Sequence, residues 1–132
     1  VGDAIMALFP NTPDDAVNAA VGMRRQLEIF NGVRGTEGEH AIDLGIGINS
    51  GELILGTIGS PNRIDTTVIG NTVNVASRME SLTKSYQVPI ILPAPVYDLL
   101  EPSTKRELSV QDLGPVKIKG IDKEVSLMGV IC

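Results

Sequence analysis

Residues 65–82 read DTTVIGNTVNVASRMESL, and the change of pattern within this stretch indicates a strand that leads into a helix. The β-branched run 66–69 predicts a short strand. Asn71 or Thr72 then caps a helix that is predicted to end at about Tyr86.

Two stripes of side chains run along the predicted helix. The apolar stripe consists of Val75, Met79, Leu82 and Tyr86, and the polar stripe consists of Asn74, Arg78, Ser81 and Ser85. Helical periodicity turns the second stripe about 100° from the first and makes Asn74 and Arg78 neighbours. An amide beside a guanidinium offers a fixed set of donors that suits a phosphate oxyanion. The ordinary alternative for such a pair is a solvated polar face.

Upstream of this stretch the pattern predicts a buried strand and a long helix. Residues 4–9 form the strand, and residues 13–30 form the helix, with Thr12 as its N-cap and Pro13 at its first position. The apolar positions of the helix are Ala16, Ala20, Met23, Leu27 and Phe30. The polar, Gly-rich residues 31–40 are expected to form a loop.

Between this loop and the central stretch, the sequence predicts a hairpin. Apolar residues alternate along 42–48, a turn follows at 49–51, and residues 53–58 form the return strand. The glycines here match neither a Walker loop nor a Rossmann fingerprint, and we interpret them as glycines that permit close packing. They are Gly45, Gly47, Gly51, Gly56 and Gly59.

The C-terminal part of the chain mixes strands with a short helix. Its predicted strands are 88–92, 107–113, 115–119 and 125–131, and its predicted helix is 94–100. Several hairpins imply mostly antiparallel pairing, with helices flanking the sheet. The prediction for residues 1–132 is therefore one domain of the α+β class.

Composition excludes several classes of function. The chain has 132 residues and a net charge of −5, which disfavours general binding to nucleic acid. Aromatic residues make up 3%, too few for a base-stacking platform, and no apolar run reaches the length of a membrane span. The single cysteine, Cys132, excludes an intrachain disulfide and fits a reducing compartment, so we expect a cytoplasmic domain.

Two further sets of charged residues are candidates for a site. Asp3 follows Gly2 in a predicted turn between strands, where a carboxylate could hold Mg²⁺, although turn propensity alone also explains it. Lys117 and Lys119 alternate with apolar residues and share one strand face. This pattern fits a solvated edge strand or contact with a triphosphate.

Four segments, taken together and in this order, resemble the catalytic domain of class III nucleotidyl cyclases, the family of adenylate and guanylate cyclases. The segments are VGDAIMALF, LGIGINSGELILGTIGS, DTTVIGNTVNVASRMESLTK and VKIKG. The resemblance extends from about Val1 to about Val130. It implies a ferredoxin-like α+β core, and a head-to-tail dimer of cyclase domains, identical or different, with active sites shared between them. The implied reaction makes a 3′,5′-cyclic nucleotide and pyrophosphate from a nucleoside triphosphate.

The resemblance also implies roles for individual residues. Two aspartates of one subunit hold two Mg²⁺ or Mn²⁺ ions; Asp3 is one of these aspartates, and the other would precede Val1. From the other subunit, Asn74 orients the ribose and Arg78 stabilises the α-phosphate in the transition state. Lys119 contacts the β- and γ-phosphates. Lys117, two residues earlier, is close enough to compete for this assignment.

Substrate choice follows from the same resemblance. Thr67, seven residues before the helix asparagine, stands at a purine-reading position, and Val68 beside it is assigned to substrate binding. Adenylate cyclases carry Asp or Thr at this position, whereas guanylate cyclases usually carry Cys or another small residue. Thr67 therefore favours ATP, with GTP as the alternative substrate. In this family, purine specificity depends on a pair of positions; Thr67 stands at one of them, and the other lies upstream of Val1.

The start of the chain suggests a boundary within a larger domain. A Gly-Asp hairpin turn needs a strand on each side, and only Val1 precedes it. We therefore expect that the upstream strand and the first metal-binding segment belong to a longer protein, and that residues 1–132 alone are inactive. A catalytically incompetent cyclase-like module, used for regulation or dimerisation, is the alternative to an enzyme.

Overall fold

Helices and strands alternate along the computed structural model, which describes residues 7–51, 54–60, 63–69, 71–118 and 123–131. For residues 54–60, 63–69 and 71 it describes the backbone. The described elements are α1 (Pro13–Thr36), β1 (Ile46–Gly47), β2 (Ile54–Ser60), β3 (Arg63–Ile69), α2 (Asn71–Tyr86), β4 (Ile90–Pro93), α3 (Ala94–Asp98), α4 (Pro102–Arg106), β5 (Ser109–Lys117) and β6 (Glu124–Ile131).

Two sheets organise these elements and confirm the α+β class. The larger sheet is mixed and has the strand order β1-β4-β6-β5, with β1 parallel to β4 and the other pairs antiparallel. The smaller sheet consists of β2 and β3, which pair antiparallel.

The predicted hairpin between 42–48 and 53–58 is wrong. Of the first segment only Ile46–Gly47 forms a strand, and its partner is β4, far along the chain. The return strand pairs instead with β3, which follows it after two residues. Pairing with the nearer segment closes the shorter loop and so costs less chain entropy.

Helices cover both faces of the larger sheet. Successive residues of a strand point to opposite faces, so Ile90 and Leu92 of β4 pack on one side and Ile91 on the other. The first side is closed by Val17, Ala20 and Val21 of α1 together with Val96 of α3. The second side is closed by Val75 and Met79 of α2. The two cores lie back to back across the sheet, with α1 and α2 on opposite sides.

Helix α1 differs from its prediction in length and in the face it buries. Thr12 caps it as expected, accepting a hydrogen bond from the Asp15 N–H at 3.4 Å. The helix continues to Thr36, so the loop predicted for 31–40 is wrong over its first six residues. Met23 and Phe30 are 45% and 48% exposed because the buried positions of α1 all lie in its first nine residues.

The C-terminal part departs from its prediction at a proline and at a short helix. Residues 107–113 and 115–119 were expected as two strands, but β5 runs through Gly114 and Pro115 with a register shift after Asp112. Proline fits there because β5 is an edge strand of the larger sheet and is irregular at that point. The sequence pattern did not indicate α4, a single turn that begins at a proline.

Helix α2 lies with its backbone directly on β1. A Cβ added at Gly47 would overlap the carbonyl oxygen of Ala76 and would lie 2.5 Å from the backbone nitrogen of Glu80. One added at Gly45 would overlap the hydroxyl of Thr83. The interpretation of these two glycines as close-packing residues is confirmed. The absence of side chains at Gly45 and Gly47 therefore sets how near α2 lies to the sheet.

Asp14 ties the start of α1 to the turn before α4. Its side chain is buried, with 9% exposure, and its Oδ2 accepts a hydrogen bond from the Glu101 N–H at 2.8 Å. Hydrogen bonding from the Thr104 side chain, and then from the Glu101 N–H, lowers the pKa of this carboxyl. The folded state therefore prefers Asp14 ionised.

We predict that Gly47→Ala destabilises the protein by about 1–3 kcal/mol, because the new methyl group meets rigid helix backbone. The free energy of unfolding in urea measures the effect. Gly32→Ala in α1 is the matched control, since a Cβ there meets no atom within 4 Å. That variant should be neutral or up to about 1 kcal/mol more stable. Equal stability of Gly47→Ala and the wild type would contradict the packing described.

We predict that Asp14→Asn lowers the stability at pH 7 by about 1.5–3 kcal/mol, because the charged acceptor is lost. A lowered folded-state pKa means that the ionised carboxyl stabilises the fold above its ordinary value of 3.8. That contribution is lost as the pH falls through the folded-state pKa, so the two proteins should converge in acid. Urea unfolding at pH 7 and pH 3 measures both effects.

Asp15→Asn is the control for this pH dependence, because Asp15 is exposed on the same turn of α1. It should change the stability by less than about 1 kcal/mol at pH 7. A stability difference between Asp14→Asn and the wild type that stays constant from pH 7 to pH 3 would show that the Asp14 charge has no part in it.

Candidate functional site

Helix α2 ends at Tyr86, as the sequence predicts, but it begins at Asn71, one or two residues earlier than a cap at Asn71 or Thr72 implies. Its apolar stripe faces the core: Val75 and Met79 are buried, and Leu82 packs against them. Tyr86, the last member of the stripe, is 37% exposed at the end of the helix. The buried stripe fixes the rotation of α2 about its own axis.

The polar stripe of α2 points away from the core. Asn74, Arg78, Ser81 and Ser85 are all exposed. Asn74 and Arg78 lie one helical turn apart, so their side chains are neighbours on this surface. Within the described part of the chain, neither of these two side chains makes a hydrogen bond or an ion pair. Their amide and guanidinium donors are therefore available to an anionic ligand.

The other predicted site residues are described less completely. Thr67 and Val68 lie in β3, where they pair with Gly56 and Leu55 of β2. The strand ends at Ile69, and α2 begins at Asn71, so this short connection joins the predicted purine-reading position to the polar stripe. Asp3 and Lys119 lie outside the described residues. Lys117 is exposed at the end of β5, and Ile118 beside it is buried.

A metal centre is not assembled within the part of the chain that the structure describes, where no three His, Cys, Asp or Glu residues are grouped to hold an ion. The predicted ligand, Asp3, lies outside that part. A single carboxylate nevertheless suits Mg²⁺, which is often bound by one or two protein carboxylates together with substrate phosphates and water.

One residue near the site was missed by the sequence interpretation. Asn49 was assigned to a turn, but its Nδ2 donates a hydrogen bond to the carbonyl oxygen of Thr72 at 3.2 Å. This contact reaches the first turn of α2 from the segment that follows β1. A polar amide directly after the buried Ile48 was the signal available in the sequence.

Comparison with protein families gives one match over almost the whole chain. The family described as the adenylate and guanylate cyclase catalytic domain matches residues 1–129. Among curated proteins, the chain is 43% identical to an adenylate cyclase of Anabaena cylindrica over 98% of its own length. It is 36% identical to the terminal-differentiation-specific adenylate cyclase of Dictyostelium discoideum over 99% of its length. The chain spans 27% and 6% of the lengths of these two relatives.

Solved structures show the same fold. The adenylyl cyclase CyaB from P. aeruginosa superposes with a TM-score of 0.73 and 26% identity, covering 91% of this chain and 59% of that one. The guanylate cyclase domain of RhGC from Catenaria anguillulae, determined in complex with GTP, gives a TM-score of 0.70 and 26% identity. That match covers 95% of this chain and 62% of the other. None of the described helices is long and apolar enough to cross a lipid bilayer.

Proposed function

The chain belongs to the family of adenylate and guanylate cyclase catalytic domains, and we propose that it converts ATP to 3′,5′-cyclic AMP and pyrophosphate. The reaction takes place at a site shared between two cyclase domains, either two copies of this chain or this chain and another of the family. The identity to curated adenylate cyclases supports this activity. A cytoplasmic location, where ATP is available, is part of the proposal.

The observation that carries the proposal is the exposed pair Asn74 and Arg78 on a helix whose opposite side is buried. In the reaction the ribose 3′-oxygen forms a bond to the α-phosphorus, and its proton is released to solvent. The bond from that phosphorus to the pyrophosphate oxygen breaks, and the electron pair leaves with pyrophosphate. Negative charge grows on the α-phosphoryl oxygens, where the Arg78 guanidinium stabilises it. Asn74 orients the ribose by hydrogen bonding.

Two more contacts complete the proposed site. Asp3 of the facing subunit would hold Mg²⁺ or Mn²⁺, which lowers the pKa of the 3′-hydroxyl and neutralises phosphate charge when bound. Lys119 would bind the β- and γ-phosphates as a point charge. Both roles rest on the sequence motifs in which the residues stand.

Thr67 and Val68 are proposed to contact the purine. The Thr67 hydroxyl can donate a hydrogen bond to a ring nitrogen or accept one from the exocyclic amine of adenine. GTP is the second candidate substrate, because the fold is nearly as similar to a guanylate cyclase domain that was determined with GTP (TM-score 0.70) as to the adenylyl cyclase CyaB (TM-score 0.73). The ratio of kcat/KM values for ATP and GTP, measured on the full-length protein, distinguishes the two.

We predict that Arg78→Ala or Asn74→Ala, in the full-length protein, lowers kcat by at least about 10²–10³. The first change removes the donor that stabilises charge on the α-phosphoryl oxygens in the transition state. The second removes the donor that orients the ribose. Cyclic AMP formation from ATP, assayed with Mg²⁺ and then with Mn²⁺, measures the loss. Arg25→Ala is the matched control, since Arg25 is an exposed arginine on α1, and it should leave kcat unchanged.

Turnover close to that of the wild type in Arg78→Ala and Asn74→Ala would contradict the proposed roles. A full-length protein that binds ATP without forming a cyclic nucleotide, under either metal, would favour a catalytically incompetent cyclase-like module instead.

A further inference from the structure

The first turn of α2 is held by the short segment that follows β1. The Nδ2 of Asn49 lies 3.2 Å from the carbonyl oxygen of Thr72 and donates a hydrogen bond to it. At Gly51 the chain passes so close that an added Cβ would lie 2.6 Å from the Thr72 hydroxyl oxygen. Asn49 and Thr72 are both half-buried, so the contact is partly shielded from water.

This contact and the candidate catalytic pair lie on opposite sides of the same helix. At about 100° per residue, Asn74 and Arg78 are turned by about 200° and 240° from Thr72. The residues that meet β1, Ala76 and Glu80, lie on the Thr72 side. An α-helix moves as a rigid element over this length, so a shift at Thr72 displaces Asn74 and Arg78 as well.

We propose that Asn49 is a positioning residue for the cyclase reaction, acting through the first turn of α2 to place Asn74 and Arg78. The inference rests on the proposed function, because Asn49 is assigned no contact with the nucleotide and affects the reaction only through Asn74 and Arg78. Gly45 and Gly47 set the distance between helix and sheet, and Asn49 fixes where the start of the helix lies along that surface.

The chemistry of the contact makes the role specific to an amide at position 49. Carbonyl oxygens accept hydrogen bonds, and the Asn49 side chain is long enough to bring its amide N–H donor to the Thr72 carbonyl oxygen. Asp has almost the same shape but offers only acceptor oxygens when ionised, so it would place negative charge against the Thr72 carbonyl. Asn49→Asp therefore reverses the interaction with little change in volume.

A second asparagine provides the matched control. The Nδ2 of Asn31 donates to the carbonyl oxygen of Ile42 at 2.7 Å, and its Oδ1 accepts from the Ile42 N–H at 2.8 Å. Asn31 lies on α1, on the other side of the larger sheet from α2. Asn31→Asp thus makes the same chemical change at a backbone carbonyl, remote from Asn74 and Arg78.

The test measures cyclic AMP formation by the full-length protein and its Asn49→Asp, Asn49→Ala and Asn31→Asp variants. We expect both Asn49 variants to lower kcat about 10- to 100-fold, since a displacement of about 1 Å is enough for such a loss. KM for ATP should change less than about threefold, because the lost interactions belong to the transition state. Asn31→Asp should keep the kcat of the wild type.

A mutant cycle separates positioning from general loss of stability. If Asn49 acts through Asn74 and Arg78, Asn49→Ala should cost less than about threefold in kcat when both of these residues are already alanine. Thermal unfolding of each variant, followed by circular dichroism, identifies any that fails to fold. Asn49→Ala, which introduces no charge, keeps the test valid if Asn49→Asp does not fold.

Two outcomes would overturn the positioning role of Asn49, and a third would overturn the proposed function. Loss of kcat in Arg78→Ala, together with unchanged kcat in both Asn49 variants, would overturn the positioning role and leave the proposed function intact. An equal loss of kcat on Asn49→Ala in the wild type and in the variant with alanine at both Asn74 and Arg78 would overturn it as well. Normal kcat in Arg78→Ala would instead overturn the proposed function.

Discussion

The close contact of α2 with Gly47 of β1, and with Gly45 just before this strand, is the constraint on which the rest of the site depends. Because Gly45 and Gly47 have no side chains, the helix lies directly on the strand, and its apolar stripe enters the core beside β4. A larger residue at either position would displace the helix. The strand that supports α2 has only two residues, so this support is supplied by packing more than by an extended hydrogen-bond ladder.

Burial of one side of α2 determines what the other side can do. Val75 and Met79 fix the rotation of the helix, and Asn74 and Arg78 consequently face solvent as neighbours. Such donors, held on a rigid helix, are organised before a ligand arrives, which is the arrangement that favours stabilisation of charge in a transition state. In the proposed dimer, this surface would face the nucleotide bound by the other domain.

Local patterns in the sequence predicted α2 well, and long-range pairing accounts for most of the errors. The helix bounds and its two stripes follow from the 3.6-residue period, which depends on near neighbours alone. The pairing of Ile46–Gly47 with Ile90–Ile91 joins segments far apart in sequence, and no local signal specifies it. The exposure of Met23 and Phe30 likewise depends on where α1 leaves the sheet. The Asn49 contact was hidden because asparagine is also a common turn residue. The roles assigned to Asp3, Thr67, Val68 and Lys119 remain predictions.

If Arg78 of one protomer acts with Asp3 of its partner, complementation between two inactive variants tests this most directly. Arg78→Ala and Asp3→Ala should each lack activity in the full-length protein. Co-expressed, they should regain about a quarter of the wild-type kcat, because half of the dimers are mixed and each mixed dimer has one intact site of two. No recovery, from variants that fold and form mixed dimers, would contradict a site shared between protomers.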